Sequence, residues 1–145
     1  MVDEDGFIEW WNVHDKMYGT AVKELERIQE LKRIPIFEID VQGAQKVHER
    51  KLGCNFLFIL PCENVNEAES VLRERLEARD TETPEQINTR VKNSKEEIDK
   101  YKESKFFQYT LVNDDLNKAT DRLYEIIEKA YKSEVEEWRK IHDSQ

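Results

Sequence analysis

Cysteine is scarce: Cys54 and Cys62 are the only two in 145 residues. Two thiols in or beside one apolar run make neither a disulfide framework nor a zinc-binding spacing, so they read as reduced core residues. Positive charge is also in deficit. Against 32 Asp and Glu stand 23 Lys and Arg, a formal net charge of −9 at pH 7. A surface of that sign repels phosphate backbones and anionic lipid, which excludes general nucleic-acid or acidic-membrane binding. Local basic clusters can still hold a single nucleotide. No apolar run approaches the ~20 residues of a membrane span, and the acidic start, MVDEDGF, lacks a signal-peptide core. The expectation is a cytoplasmic protein with no nucleic-acid or membrane partner. Glycine and proline are few, and no repeat or low-complexity linker divides the chain. Hydrophobic content of 38% suffices for a core, and the length suits one domain over residues 1–145.

What is present alternates between helical and strand-like patterns. Val22, Leu25, Ile28 and Leu31 recur at helical spacing and predict a helix over 20–33. IPIFEID, 34–40, reads as a strand whose Pro35 is tolerated near its start. VQGAQKVHERK continues as a helix ending near Gly53. CNFLFIL, 54–60, reads as a strand apolar on both faces, as in parallel sheets. A helix through Val71, Leu72 and Leu76 ends near Arg79, and Thr83-Pro84-Glu85-Gln86 carries a capping box with proline at the first helical position. That helix runs to about Glu103, YTLVN (109–113) is a third strand, and a long helix is expected over 115–141. Its Leu116, Leu123, Ile127, Ala130, Val135, Trp138 and Ile141 form a stripe. At ~1.5 Å per residue this helix would reach about 40 Å, beyond what a core of this size covers, leaving the turns around Trp138 exposed or docked on a second chain. Strands alternating with helices predict an α/β fold with a parallel sheet and right-handed crossovers.

Three stretches carry chemistry. FIEWWNVHDKMYGT, 7–20, packs an acid, two tryptophans, a tyrosine and a threonine together, a composition suited to a small-molecule pocket. In IFEIDVQG, Glu38 and Asp40 sit at the C-terminal end of a strand, where open α/β sheets bind ligands. Such acids hold water around Mg²⁺ or accept from a base or ribose; the bland alternative is a solvated strand end with a helix cap. Arg73, Arg75, Arg79 and Arg90 gather around a turn. Arginine forks clamp phosphates and hold transition-state charge, or they make intrahelical ion pairs with Glu74 and Glu77. His14, His48 and His142 have no partners at ligand or triad spacing, and Trp10 and Trp11 read mainly as packing.

FIEWW with YGT, then IFEIDVQGAQ, RLEARDTETPEQINTR and LVNDDL, resemble successive signatures of guanylate kinases, in that family's order and approximate spacing, over residues 1 to about 128. The resemblance implies a nucleoside-monophosphate kinase fold that transfers the ATP γ-phosphate to GMP with Mg²⁺, giving ADP and GDP. Glu9 matches the family's guanine-reading acid, and guanine's adjacent N1–H and N2–H₂ suit one carboxylate. Tyr18 matches a tyrosine reaching the GMP phosphate, and Thr20 a hydroxyl at the guanine edge that would also cap the next helix. Asp40 matches the strand-end acid on the guanine side; Glu38 stands where the family usually has Asp, near the metal, and would act through bound water. Arg75, Arg79 and Arg90 match lid arginines that close over the transferring phosphates, Arg79 also toward ATP. Asn113 matches the asparagine at the adenine end, its bland role being to start the last helix with Asp114.

The sequence also departs from that family. Its phosphate loop, G-x-x-x-x-G-K-[ST], is absent: Gly6, Gly19, Gly43 and Gly53 are the four glycines, and none opens such a motif. The arginine-rich stretch that follows the loop is absent too, the loop from Pro61 to Val71 is long, and Asp80 replaces a lid glycine. The fold implied is therefore an incomplete P-loop kinase-like three-layer parallel sheet, with 1–20 as a remnant of the GMP-binding insert, 73–90 as lid and 115–141 as the C-terminal helix. The expected ligands are GMP or GDP and ATP or ADP, with self- or partner association through the C-terminal helix or the open sheet. The isolated chain is expected to be inactive as a kinase; the alternative is a non-catalytic, guanylate-kinase-like binding module.

Overall fold

Aromatic and β-branched residues open the described part of the chain, and they pair on themselves. The computed structural model describes residues 6–13 and 16–142, with side chains for all of these but 9–13, 16–18, 137, 138 and 140–142. The stripe positions Trp138 and Ile141 therefore have no side-chain description. β1 (Phe7–Val13) and β2 (Lys16–Ala21) form an antiparallel hairpin, an element the helical and strand patterns of the sequence did not anticipate. Its register sets Glu9 opposite Thr20 and Trp11 opposite Tyr18, with an irregularity between Phe7 and Glu9. α1 (Val22–Glu30) follows without a break. Thr20 does not cap it: the cap position is Ala21, with no side-chain bond, because the strand continues through Thr20.

α1 ends in a backbone-satisfying turn. Arg33 N–H donates to the Ile28 carbonyl (3.2 Å) and Lys32 N–H to the Gln29 carbonyl (2.8 Å), which places Lys32 in the left-handed region at φ 53°. Residues 34–40, expected as a strand, join no ladder among the described residues. Their burial still alternates, Phe37 and Ile39 half-buried and Ile36, Glu38 and Asp40 exposed, with Ile36 81% exposed. An apolar period of two specifies an extended segment, but a strand also needs a neighbour for its N–H and C=O groups. α2 (Val41–Glu49) buries Val41, Ala44 and Val47 and packs on β1; it ends before Gly53 is reached.

From Asn55 onward the chain forms a second compact unit. β3 (Leu57–Leu60) and β4 (Tyr109–Val112) run parallel, Leu57 opposite Tyr109 and Leu60 opposite Val112. β3 is shorter than the apolar run because Phe56 is held differently: its N–H donates to the Gln108 side chain at 2.7 Å, and its carbonyl accepts from the N–H groups of Gln108 and Tyr109. Leu60 is buried, but Ile59 is 54% exposed, so burial on both faces is not realised. A 3₁₀ turn (Val65–Glu67) fills the long loop and leads into α3 (Ala68–Arg79) and α4 (Pro84–Glu103). Leu60, Ala68 and Ile98 form one core cluster. Beside it, Phe58 stacks on Tyr101 with ring centroids 4.1 Å apart, Phe106 and Phe107 pack edge-on to Phe56, and the Tyr101 hydroxyl meets Thr110 Oγ1 at 2.6 Å. These aromatics join the end of α4 to both strands.

The single C-terminal helix expected over 115–141 is two helices, α5 (Leu116–Ala130) and α6 (Lys132–His142), divided at Tyr131. Glu128 and Arg139 form an ion pair across the break. In a straight helix their positions would lie about 16 Å apart along the axis, so this pairing exists only because the chain turns. Asp115, not Asn113 or Asp114, caps α5, accepting from Lys118 N–H at 2.9 Å. Among the described residues the strands thus make one antiparallel hairpin and one two-stranded parallel sheet, a mixed α/β arrangement. No described helix is long and apolar enough to cross a membrane.

Three non-glycine residues carry left-handed backbone at helix ends: Lys32 after α1, Lys51 after α2 at φ 54°, and Asp80 after α3 at φ 49°. That conformation costs an L-residue ~1–2 kcal/mol, partly offset by glycine's larger entropy loss of ~0.5–1 kcal/mol. Lys32→Gly and Asp80→Gly should each stabilise the chain by about 0.5–1 kcal/mol and raise the thermal midpoint by a few degrees. A lower midpoint for both would contradict the strain assigned here.

Candidate functional site

In a strand pair, residues directly opposite one another lie on the same face, and so do residues two apart. The hairpin register therefore puts positions 9, 11, 18 and 20 on one face of the β1–β2 ladder. Three of these are the positions the resemblance assigns to GMP. The side chains of Glu9 and Tyr18 lie outside the described residues; that of Thr20 is half-buried.

Asp40 has a defined local task. It is the N-cap of α2, and its Oδ1 accepts from Gly43 N–H at 2.7 Å. A Cβ on Gly43 would come within 3.2 Å of Ile39 Cβ and 3.4 Å of Asp40 Oδ1, a tight fit against Ile39 and an ordinary contact with the carboxylate. The bland reading of Asp40 is realised, and the carboxylate stays exposed at a helix N-terminus. Glu38, two residues earlier, is exposed as well. Among the described residues no three His, Cys, Asp or Glu side chains gather to hold a metal. Glu38 alone does not make a resident Mg²⁺ site.

The arginine-bearing turn is built from several local devices. α3 ends at Arg79, Asp80 reverses the chain, and Thr83 starts α4 with a complete capping box: Gln86 N–H donates to Thr83 Oγ1 (3.3 Å) and Thr83 N–H to Gln86 Oε1 (2.8 Å). Leu76, Ile87 and Val91 close a small core between the two helices. The four arginines meet different fates. Arg73 lies 4.0 Å from Glu77, the intrahelical pairing anticipated as the alternative. Arg75 instead donates from Nη2 to the Pro61 carbonyl at 3.1 Å, tying α3 to the end of β3. Arg79 is exposed and has no partner among the described residues. Arg90 reaches back along α4 to Glu82, Nη1 to Oε1 3.0 Å. Glu82 is a participant that sequence reasoning missed. Its only signal was an acid inside the turn that separates the arginines.

Asn113, which the resemblance assigns to the adenine end, is half-buried, and its N–H donates to the Leu60 carbonyl at 2.8 Å, extending the β3–β4 ladder by one bond. The Asp115 backbone N–H holds the neighbouring Asp114 carboxyl below its usual range. Burial pushes the thiols of Cys54 and Cys62 up, although both residues are half-buried and neither is in the core as expected. Glu9, Tyr18, Thr20, Glu38 and Asp40 fall in the first compact unit, and Arg75, Arg79, Arg90 and Asn113 in the second.

Comparison with known proteins gives one consistent result. A family model described as guanylate kinase matches residues 1–130. A guanylate kinase of Geobacter sulfurreducens is 35% identical over 127 residues, covering 88% of this chain and 59% of that protein. One from Caldanaerobacter subterraneus subsp. tengcongensis is 36% identical over 131 residues, covering 88% and 58%. Guanylate kinase 1 of Oryza sativa subsp. japonica is 36% identical over 126 residues, covering 87% and 32%. The chain thus spans less than two thirds of the length of each of these relatives.

The Asp40–Gly43 contact yields a direct test. Replacing a capping Asp by Ala typically costs ~1 kcal/mol, while Asn caps as well as Asp. Asp40→Ala should lower stability by about that amount, and Asp40→Asn should leave it nearly unchanged. Chemical denaturation checks both; a destabilised Asp40→Asn would mean that charge, not capping, is what Asp40 contributes to the fold.

Proposed function

The chain belongs to the guanylate kinase family, and from that membership we propose that it contributes the guanine-reading, lid and adenine-end residues of an enzyme transferring the ATP γ-phosphate to GMP. In that reaction an oxygen of the GMP phosphate attacks the γ-phosphorus, the bond from phosphorus to the β–γ bridging oxygen breaks, and ADP leaves with the electron pair. The protein has little covalent work in such a step; it positions the two nucleotides and offsets charge on the phosphates.

The observation that carries this reading is the hairpin register, which sets positions 9, 18 and 20 on one face. Glu9 accepts from the N1–H and N2–H₂ of guanine, Thr20 meets the same base edge, and Tyr18 reaches the phosphate. Asp40, pinned at the start of α2, stands on the guanine side. Arg75, Arg79 and Arg90 serve as the lid arginines, and Arg79 is the exposed one that no described residue engages. Asn113 lines the adenine end. Magnesium would come as part of the ATP substrate, offsetting phosphate charge, and Glu38 is the residue that would face its bound water.

A second reading, a non-catalytic module that binds nucleotide or a partner, is favoured by one observation. No G-x-x-x-x-G-K-[ST] occurs in these 145 residues, so the donors that cradle ATP phosphates in that motif must come from elsewhere. Both readings share the guanine preference.

Calorimetry with GMP and AMP tests that preference. GMP should bind more tightly than AMP, whose base lacks the paired donors. Glu9→Gln turns one acceptor into a donor facing guanine N–H groups and should weaken GMP binding by ~1–3 kcal/mol. Equal affinity for the two nucleotides, or a Glu9→Gln chain that binds GMP unchanged, would remove the assignment.

A further inference from the structure

Glu82 is the one described residue with a buried side-chain oxygen that lacks any partner, its Oε2, while its Oε1 takes the Arg90 guanidinium at 3.0 Å. The two ends of this pair are unequal. The Glu82 side chain is 14% exposed and the Arg90 side chain 57%. Glu82 is also fixed along the backbone, between the left-handed Asp80 and the Thr83 capping box. The buried, anchored carboxylate is therefore the stationary partner and the exposed arginine the positioned one. A carboxylate with one oxygen cut off from water and unpaired depends on its cation for compensation. A guanidinium has five N–H donors in a rigid fork, so one contact leaves donors for a second anion.

Resting on the reading of Arg90 as a lid arginine, we infer that Glu82 is a positioning residue. It holds the Arg90 guanidinium in a set orientation within the lid turn and leaves its remaining donors available to a phosphate. The competing picture is a latch, in which Glu82 occupies Arg90 and a phosphate must displace it. The two pictures differ in sign. Glu82→Gln removes a negative charge beside the anion site, which on electrostatics alone, or on release of a latch, tightens anion binding. Loss of a positioning contact weakens it.

The test uses the 145-residue chain labelled with ¹⁵N-arginine, titrated with inorganic pyrophosphate by calorimetry and by NMR of the arginine Nε–H signals. Positioning predicts an ordered Arg90 signal before pyrophosphate is added. It predicts that Glu82→Gln weakens binding by about tenfold, within the range of coupling between contacting residues. Glu82→Asp, which keeps the charge on a shorter arm, should lose less. Arg90→Ala should weaken binding too, and adding Glu82→Gln to it should change nothing further. Unchanged or tighter binding by Glu82→Gln, with Arg90→Ala still weakening it, overturns the positioning role and leaves the lid reading standing. An Arg90→Ala chain that binds pyrophosphate as well as the parent overturns the lid reading, and the positioning role with it. Should Glu82→Gln fail to fold, the unliganded parent decides: a freely averaging Arg90 side chain contradicts the inference.

Discussion

Closure of Leu76, Ile87 and Val91 on one another is the contact on which the arginine-bearing turn depends. Each such side chain taken out of water contributes ~1.5–3 kcal/mol, and together the three hold the end of α3 against the start of α4. Only with that seam closed can the few residues between Arg79 and Thr83 be forced through a reversal. Asp80 absorbs it by entering left-handed backbone, and Thr83 and Gln86 satisfy the first amides of α4. Glu82, caught between these fixed points, loses water from one oxygen and takes Arg90 on the other. The packing of three apolar residues is thus transmitted into the orientation of a cation.

A comparable chain of dependence runs through the first compact unit. The hairpin register, not any one side chain, brings positions 9, 18 and 20 to a common face, and a slip of one residue would separate them. α2 packs against β1, and its start is set by Asp40 closing on Gly43. Asp40 therefore serves the fold whatever else it binds. The same double use recurs in Arg75, which ties α3 to the end of β3 through the Pro61 carbonyl. In a family whose chemistry is positioning, residues that fix the scaffold and residues that touch phosphate need not be distinct sets.

What the sequence made legible were features with local causes. The helical spacing of α1, α3 and α4, the capping box at Thr83 and the parallel pairing of two apolar runs all depend on residues close in the chain or on strong apolar patterning. Features that depend on a distant partner were not. Residues 34–40 have the alternation of a strand, but a ladder requires a neighbour that their own composition cannot specify. The division at Tyr131 was hidden because Ala130-Tyr131-Lys132 contains no helix breaker; the turn shows itself only in the pairing of Glu128 with Arg139. For the candidate site, the residue types were readable and the engagements were not. Arg75, Arg79 and Arg90 look alike in sequence, yet one is tied to a carbonyl, one is exposed and one is held by a carboxylate.

On the proposed function, these residues supply base recognition and part of the charge neutralisation, but not the positioning of the ATP phosphates. Loss of one positioned donor in a site of this kind costs ~10²–10³ in rate, and the motif G-x-x-x-x-G-K-[ST], whose loop provides a set of them, does not occur in these 145 residues. A coupled assay of GMP-dependent ADP formation addresses this directly, run on the purified chain with and without an added N-terminal segment carrying a phosphate loop. No useful turnover is expected from the 145 residues alone, and recovery is expected with the added segment. Robust turnover by the chain alone would contradict this and place the ATP phosphates on residues not assigned here.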